Sequence, residues 1–146
     1  MPLEVSAGAI IYREDSGKNL FLLLRYPAIN HRSGIDYWDF VKGHVEKDEE
    51  ELKTVVRETA EETGIKDLEF IDGFSQTMKY FFVYQGRRIF KIVNFRLART
   101  MTAQVALSDE HNDFAWLPYE EAYRALSFDN AKNVLKKAHE FLGKSK

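Results

Sequence analysis

The sequence predicts an α+β fold in which helices pack on a mixed β-sheet. Three observations carry this expectation. Extended segments rich in β-branched and aromatic residues occur in pairs joined by short Gly-containing turns. One strongly charged stretch in the first half has helical periodicity, and two further helical stretches close the chain. Strands and helices do not alternate regularly, which argues against a doubly wound parallel sheet.

In chain order, strands are expected at Glu4–Tyr12 and Leu20–Arg25, split by a turn at Glu14–Lys18 that contains Ser16-Gly17. The polar run YPAINHRSGIDY reads as a loop and Trp38–Val41 as a short strand. Lys42-Gly43-His44 then reads as a basic turn ahead of a helix. Leu68–Phe74 and Lys79–Tyr84 look extended. Gln85-Gly86 turns the chain into Arg88–Leu97, where Ile89, Phe90, Ile92, Val93 and Phe95 dominate. Phe114–Leu117 is the last expected strand. Helices near Tyr119–Leu126 and Asn130–Leu142 follow, with Gly143 as a stop.

A length of 146 residues suits one domain, 1–146, around one core. Hydrophobic content of 45% with 30% charged residues is the composition of a folded globular chain. No run of eighteen apolar residues occurs, so neither a membrane span nor a membrane partner is expected. The opening MPLEVSAGAIIYRED lacks a basic leader, a long apolar core and a small-residue cleavage site, and a cytoplasmic setting is expected. The absence of cysteine removes disulfides, zinc–thiolate sites and thiol nucleophiles together, in keeping with a reducing compartment. The phosphate loop of nucleoside triphosphatases, the Gly-x-Ser-x-Gly elbow and the dinucleotide fingerprint are all missing.

Charge is unevenly spread. Residues 46–62 hold eight acids against three bases, a net of −5 in a chain whose total is −2. An acidic focus on a mildly basic body suggests a cation site beside an anion-binding surface, although a solvated helix face would give the same run. As a helix, the segment offers Asp48 as N-cap with Glu51 three residues on, a capping box. Glu49, Glu50 and Glu51 suit the positive end of the helix dipole. Leu52, Val55, Val56, Thr59 and Thr63 follow the spacing of a buried face, and Gly64 permits a left-handed end. Glu58, Glu61 and Glu62 need another account. They share roughly a 100° arc, at spacings where like charges cost a few tenths of a kcal/mol per pair, and late in the helix where its dipole disfavours anions. Arg57 is the local base and points to one side. A hard divalent cation reverses the problem, because clustered carboxylate oxygens are what Mg²⁺ takes, and Mg²⁺ bridges to phosphate oxygens. Lys42 suits a phosphate, and Gly43 lets backbone approach a ligand. An ordinary strand–helix turn would also account for Lys42-Gly43-His44.

Gly43, five residues, Glu49, seven residues, Arg57-Glu58, Thr59, one residue, Glu61-Glu62, one residue and Gly64-Ile65 form a pattern that resembles the Nudix box, the signature of Nudix hydrolases. Thr59 departs from it, since that slot usually holds an aliphatic residue. The stretches FLLLRY, WDFVKGHVE, RETAEETGI, IDGF, LSDEHNDFAWL, EEA and HEFL resemble, in order, the subgroup that hydrolyses diadenosine tetraphosphate asymmetrically, over Leu3 to Gly143. Val41 stands where that family usually has proline, and the loop before Trp38 differs.

The resemblance implies an α/β/α sandwich around a mixed sheet, and hydrolysis of a nucleoside diphosphate linked to another group. It implies Mg²⁺ as cofactor, with Mn²⁺ as a substitute. By position, Glu58, Glu61 and Glu62 correspond to metal ligands, aided by the Gly43 carbonyl. Glu49 and Arg57 correspond to residues that hold the box in shape, and Glu110 to a further metal-binding acid, although it would also read as a surface acid in a loop. Glu58 or Glu61 is the expected general base, with Glu110 as rival. Lys42 and His44 face the phosphates in this reading. Tyr80 falls near the ring that stacks on adenine, Phe128 near an opposing ring, and Lys91 at a phosphate-binding lysine. His31, Tyr37 and His111 are further pocket candidates. A small nucleotide is the expected partner, with no stable nucleic-acid partner. The competing readings are a Nudix pyrophosphohydrolase acting on RNA 5′ ends, nucleoside triphosphates or ADP-ribose, and a non-catalytic nucleotide sensor. Arg87-Arg88 is a small basic patch for the RNA reading, whereas degenerate sensors tend to lose box acids that this chain keeps.

Overall fold

A computed structural model of the protein describes residues 2–28 and 34–144. His31 lies outside the described residues. In chain order the elements are β1 (Leu3–Asp15), β2 (Lys18–Tyr26), β3 (Tyr37–Asp39), β4 (Val41–His44), α1 (Glu51–Thr63), β5 (Glu69–Phe70), β6 (Gln76–Tyr84), β7 (Arg87–Arg99), β8 (Asp113–Pro118), α2 (Tyr119–Ala125) and α3 (Asp129–Lys144). All eight strands join one mixed sheet. Two hairpins build its halves, and each turns on two residues of positive φ: Ser16 (52°) with Gly17 (80°), and Gln85 (51°) with Gly86 (74°). Turns of that hand match the twist of the flanking strands.

β1 is the centre of the sheet. It runs parallel to β7 from Leu3↔Phe90 to Tyr12↔Arg99. Its other edge is shared: Tyr12–Asp15 pair with β2, whereas Ser6–Ala9 pair with β4. β2 meanwhile pairs with β3 through Leu24–Tyr26 and with β8 through Leu20–Arg25. The two central strands therefore diverge, and the chain crosses the opening between β3 and β4 at the fully buried Phe40. The Tyr26 hydroxyl donates to the Phe40 carbonyl at 2.6 Å and holds this crossing.

Side chains alternate across the sheet, as strand geometry requires. Ala7, Ala9, Ile11, Leu22, Leu24 and Val41 meet Val55 of α1 and Ile65 on one face. Ile10, Tyr12, Phe21, Leu23, Val93, Phe95 and Leu97 meet α2 and α3 on the other. In α3 the buried Ala131, Val134, Leu135, Ala138 and Leu142 recur at helical spacing. Each fully buried Val or Leu contributes roughly 1.5–3 kcal/mol, more than intrinsic helix propensity supplies. The result is the expected α/β/α sandwich of an α+β fold. No helix among the described residues is long and apolar enough to cross a membrane.

Several local expectations are corrected. Trp38–Val41 is not one strand but the end of β3, Phe40 and the start of β4. Lys42-Gly43-His44 is strand, not turn, because it pairs with Gly8, Ala7 and Ser6. The turn at Glu14–Lys18 narrows to Ser16-Gly17. Of Leu68–Phe74 only Glu69–Phe70 form a strand, opposite Arg99 and Ala98, and Ile71 N adds one bond to the Leu97 carbonyl at 2.9 Å. Gly143 does not stop α3, which runs on to Lys144. Asp48 does not cap α1. Its φ is 63°, the N-cap residue is Glu50, and no side chain caps the helix. Leu52 and Val56 are 41% and 45% exposed, while Thr54, Val55, Thr59, Glu62 and Thr63 are buried. The helix is thus rolled so that a carboxylate, rather than two aliphatic side chains, faces inward. Gly64 does end α1 in the left-handed region, at φ 76°.

Thr59 is fully buried and its Oγ1 has no hydrogen-bond partner among the described residues. An unsatisfied buried hydroxyl costs about 1–3 kcal/mol, and valine has the same shape without it. Thr59→Val is expected to raise the thermal midpoint by roughly 2–4 °C, measured by calorimetry. A lowered midpoint would show that the hydroxyl is satisfied.

Candidate active site

The site begins where β4 leads into α1. The peptide of Glu49 bonds back to the Glu46 carbonyl at 3.0 Å, closing a turn through Asp48. The Glu49 carboxylate then gathers the donors around it: Glu46 N (3.1 Å), Thr54 Oγ1 (2.7 Å), Arg57 Nε (2.9 Å) and Arg57 Nη2 (3.0 Å). Hydrogen bonds from Arg57 first, and then from Thr54, hold its carboxyl down at about 2. Glu49 therefore remains ionised and fixes the arginine in a forked geometry that lysine could not reproduce.

Arg57 does not point aside. Its Nη1 reaches Glu58 Oε1 at 2.8 Å and Glu61 Oε2 at 3.4 Å, and its Nη2 reaches the His44 carbonyl at 3.2 Å. One guanidinium thus ties the structural acid Glu49, strand β4 and two carboxylates of the ridge together. It carries one positive charge among four carboxylates, Glu46 (3.8 Å from Nη2), Glu49, Glu58 and Glu61, and the ridge stays electronegative.

Gly43 lies under that ridge, and a Cβ built there would overlap the Glu58 carboxylate. The absent side chain is what lets the helix approach the strand. Glu62 is 3% exposed. Burial, then its neighbours Glu58, Glu110 and Glu61, push its carboxyl up to about 9. Its Oε2 has no hydrogen-bond partner among the described residues, and its Oε1 lies 3.0 Å from His111 Nε2. That approach is close but not aligned as a hydrogen bond, since His111 Nε2 is also unpartnered. Burial lowers the His111 pKa, so the ring is neutral and offers Glu62 no countercharge.

These groups line a cleft of ≈ 610 Å³. Gly43, His44, Glu58, Glu61 and Glu62 form one side, and Glu110 arrives from the turn after Ser108. Backbone bonds from Ser108 N to Glu62 O (3.2 Å) and Ala106 N to Thr63 O (2.8 Å) pin that turn to the end of α1. Lys42 and Lys91 also line the cleft. Lys42 Nζ lies 2.8 Å from Asp39 Oδ2. Burial opposes its charge, but Asp39 and its hydrogen bond outweigh burial and hold the ammonium above its usual range. Lys91 is 3.7 Å from Glu4, and burial together with Lys42 pushes its ammonium down.

Eight residues marked in the sequence thus meet in one cleft: Lys42, Gly43, His44, Glu58, Glu61, Glu62, Lys91 and Glu110. Arg57 stands behind it. Tyr80 and Phe128 do not line it. Tyr80 lies on the strand face of Lys91, its register partner, and burial raises its pKa. The Phe128 ring lies 5.3 Å from that of Tyr37, which in turn stacks on Tyr26 at 5.0 Å and 3°. His111 is buried behind the cleft rather than lining it. Sequence reasoning missed Tyr26, Ser6 and Ser108 in the lining. Tyr26 was within reach, since it continues the inward parity of Leu22 and Leu24. Ser6 is placed only by its pairing with His44, and Ser108 only by its bond to the helix end.

Among the described residues no three carboxylates or histidines already stand in a metal-ligating arrangement. The donor set nonetheless suits a hard cation: all-oxygen ligands, an orphaned buried oxygen on Glu62, and a glycine carbonyl strand with no side chain in the way.

An α/β/α sandwich with an acid-rich helix against a glycine strand defines a class, and a model of the NUDIX domain matches residues 2–138. The chain belongs to the Nudix family and is a Nudix hydrolase. Over 94% of both chains it is 35% identical to the bis(5′-nucleosyl)-tetraphosphatase [asymmetrical] of Mus musculus. The Caenorhabditis elegans protein of the same name is 32% identical over 94% of this chain and 95% of its own. The crystal structure of a C. elegans Ap4A hydrolase binary complex superposes with a TM-score of 0.77 at 28% identity, covering 97% of this chain and 98% of that one.

Proposed function

We propose that residues 1–146 act as one domain that hydrolyses diadenosine tetraphosphate asymmetrically, releasing ATP and AMP, with Mg²⁺ or Mn²⁺ held by Glu58, Glu61, Glu62, Glu110 and the Gly43 carbonyl. The observation that carries the reading is the meeting of a carboxylate ridge and two lysines in one cleft, in a chain similar to enzymes named for that reaction.

When bound, the cation supplies neutralisation of phosphate oxygens and acidification of a water. The chain's own residues do the rest. Arg57 holds the ridge in place through Glu58 and Glu61. Lys42 and Lys91, each balanced by a carboxylate, offer ammonium groups to the far phosphates. Asp39 keeps Lys42 charged although it is largely buried, so that an anion meets a cation there. Glu61, the most exposed of the ridge acids with 60% of its side chain in solvent, is placed to accept the proton of the attacking water, with Glu58 and Glu110 as the other acids within the cleft. Tyr80 and Phe128 offer rings for the bases, outside the cleft proper.

The test is product analysis in ¹⁸O-labelled water with Mg²⁺ and diadenosine tetraphosphate. Label in AMP alone is the expected result and marks attack at the fourth phosphate from the other adenosine. Two molecules of ADP would refute asymmetric cleavage. No turnover, with pyrophosphate release from 5′-triphosphate RNA or nucleoside triphosphates, or cleavage of ADP-ribose, instead, would move the substrate within the family. Tight nucleotide binding without any turnover would make the protein a sensor.

A further inference from the structure

We propose that His111 is a positioning residue: its Nε2 seats the Glu62 carboxylate while its ring anchors the turn that carries Glu110, so that cation affinity depends on that one nitrogen. The inference rests on the reading of Glu62 and Glu110 as cation ligands.

His111 follows Glu110 directly, yet the two side chains diverge. Glu110 is exposed in the cleft and the His111 side chain is wholly buried. Every polar contact of the ring belongs to this one site. Nδ1 lies 3.2 Å from Ser108 Oγ, and the same oxygen accepts from Glu110 N at 3.3 Å, which leaves its hydroxyl proton free for Nδ1. The His111 peptide donates to the Ser108 carbonyl at 3.2 Å, and Ser108 N donates to the Glu62 carbonyl at 3.2 Å. The Tyr26 ring and the imidazole meet in a T-shaped contact, centroids 4.5 Å apart at 72°. With Nδ1 accepting from the Ser108 hydroxyl, the ring proton is assigned to Nε2, which lies 3.0 Å from Glu62 Oε1.

A histidine that merely fills the core would have both nitrogens satisfied or would be replaceable by an apolar ring. Here Nε2 is without a hydrogen-bond partner among the described residues, and so is Glu62 Oε2. A small turn of the Glu62 carboxylate aligns one oxygen on Nε2–H and presents the other to the cleft. Carboxylate ligands are held by outer hydrogen bonds of this kind, and losing one costs roughly 10–100-fold in metal affinity.

The experiment is a Mn²⁺ titration of the full chain without substrate, reading the free ion by electron paramagnetic resonance. Wild type is compared with His111→Gln, whose amide nitrogen reaches the Nε2 position, His111→Asn, whose amide stops at Nδ1, and His111→Phe, which keeps the ring. The expected order is Gln within about threefold of wild type, with Asn and Phe weaker by tenfold or more. Equal affinities for Gln and Asn, or wild-type affinity in Phe, would overturn the inference and leave the cation reading intact. If wild type itself binds no Mn²⁺ at millimolar concentration, the cation reading fails and this inference with it. Loss of folding in all three variants would make His111 a packing residue and overturn the inference as well.

Discussion

Glu61→Gln is expected to lower kcat by about 10²–10⁴-fold, the usual contribution of a positioned general base, with the thermal midpoint almost unchanged. The side chain is 60% exposed and its contact with Arg57 Nη1 is long, at 3.4 Å. An exposed pair of that kind contributes little to stability, so the fold does not depend on the charge. The amide keeps the shape of the carboxylate but cannot take up the proton, and as a neutral oxygen ligand it holds a cation more weakly. Glu58 is the natural comparison. It is bonded to Arg57 at 2.8 Å and lies against Gly43, so Glu58→Gln should lose stability as well as rate. A Glu61→Gln enzyme that turns over within threefold of wild type, a barrier change of about 0.7 kcal/mol, would hand the proton to Glu58 or Glu110.

The second large effect is on stability and has opposite signs with and without metal. Glu62→Gln should make the metal-free protein more stable at neutral pH and abolish the rise in thermal midpoint that Mg²⁺ gives wild type. In the folded, metal-free protein the carboxyl is pushed from 4.5 up to about 9. Below pH 4.5 folded and unfolded states are both protonated, and the group costs nothing. As pH rises from 4.5 towards 9, the unfolded glutamate ionises while the folded one does not, and stability falls by up to about 1.4 kcal/mol per pH unit. Glutamine has no such slope. Urea unfolding of the two proteins at pH 4 and pH 8, each without metal, measures the difference. A gap that does not widen between those pH values would show that Glu62 is ionised without a cation. Bound metal reverses the preference, because it stabilises the charged form and any ligand specific to the folded state stabilises folding by mass action.

The same like-charge conflict makes the ridge legible in the sequence alone. Acids at Glu58, Glu61 and Glu62 work against the helix dipole and against each other, and that conflict is visible in one helical turn. The hairpins were equally legible. Ser16-Gly17 and Gln85-Gly86 sit between alternating apolar runs, and each pair adopts the positive φ that such a turn needs. The closing helices announced themselves by apolar spacing alone.

Other features had no local signal. Periodicity pointed Leu52 and Val56 inward, but a helix can roll by a few tens of degrees without breaking its pattern. The contact with Gly43 rolled it toward Glu62. Lys42-Gly43-His44 looked like a turn because its partner, Ser6–Gly8, lies some 35 residues away in the chain. The pairing of Lys42 with Asp39 could have been suspected from three-residue spacing, but its burial could not.

Which side chains are in conflict and where the chain turns can be read along the chain, since both depend on neighbours a few residues apart. What answers the conflict comes from the fold: the His44 carbonyl of β4 holds Arg57 beside the ridge, Glu110 and His111 arrive beside Glu62, and Lys42 and Lys91 share the cleft. Those are contacts between distant segments, and they exist because β1 and β2 diverge and the strand carrying Gly43 fills the gap between them.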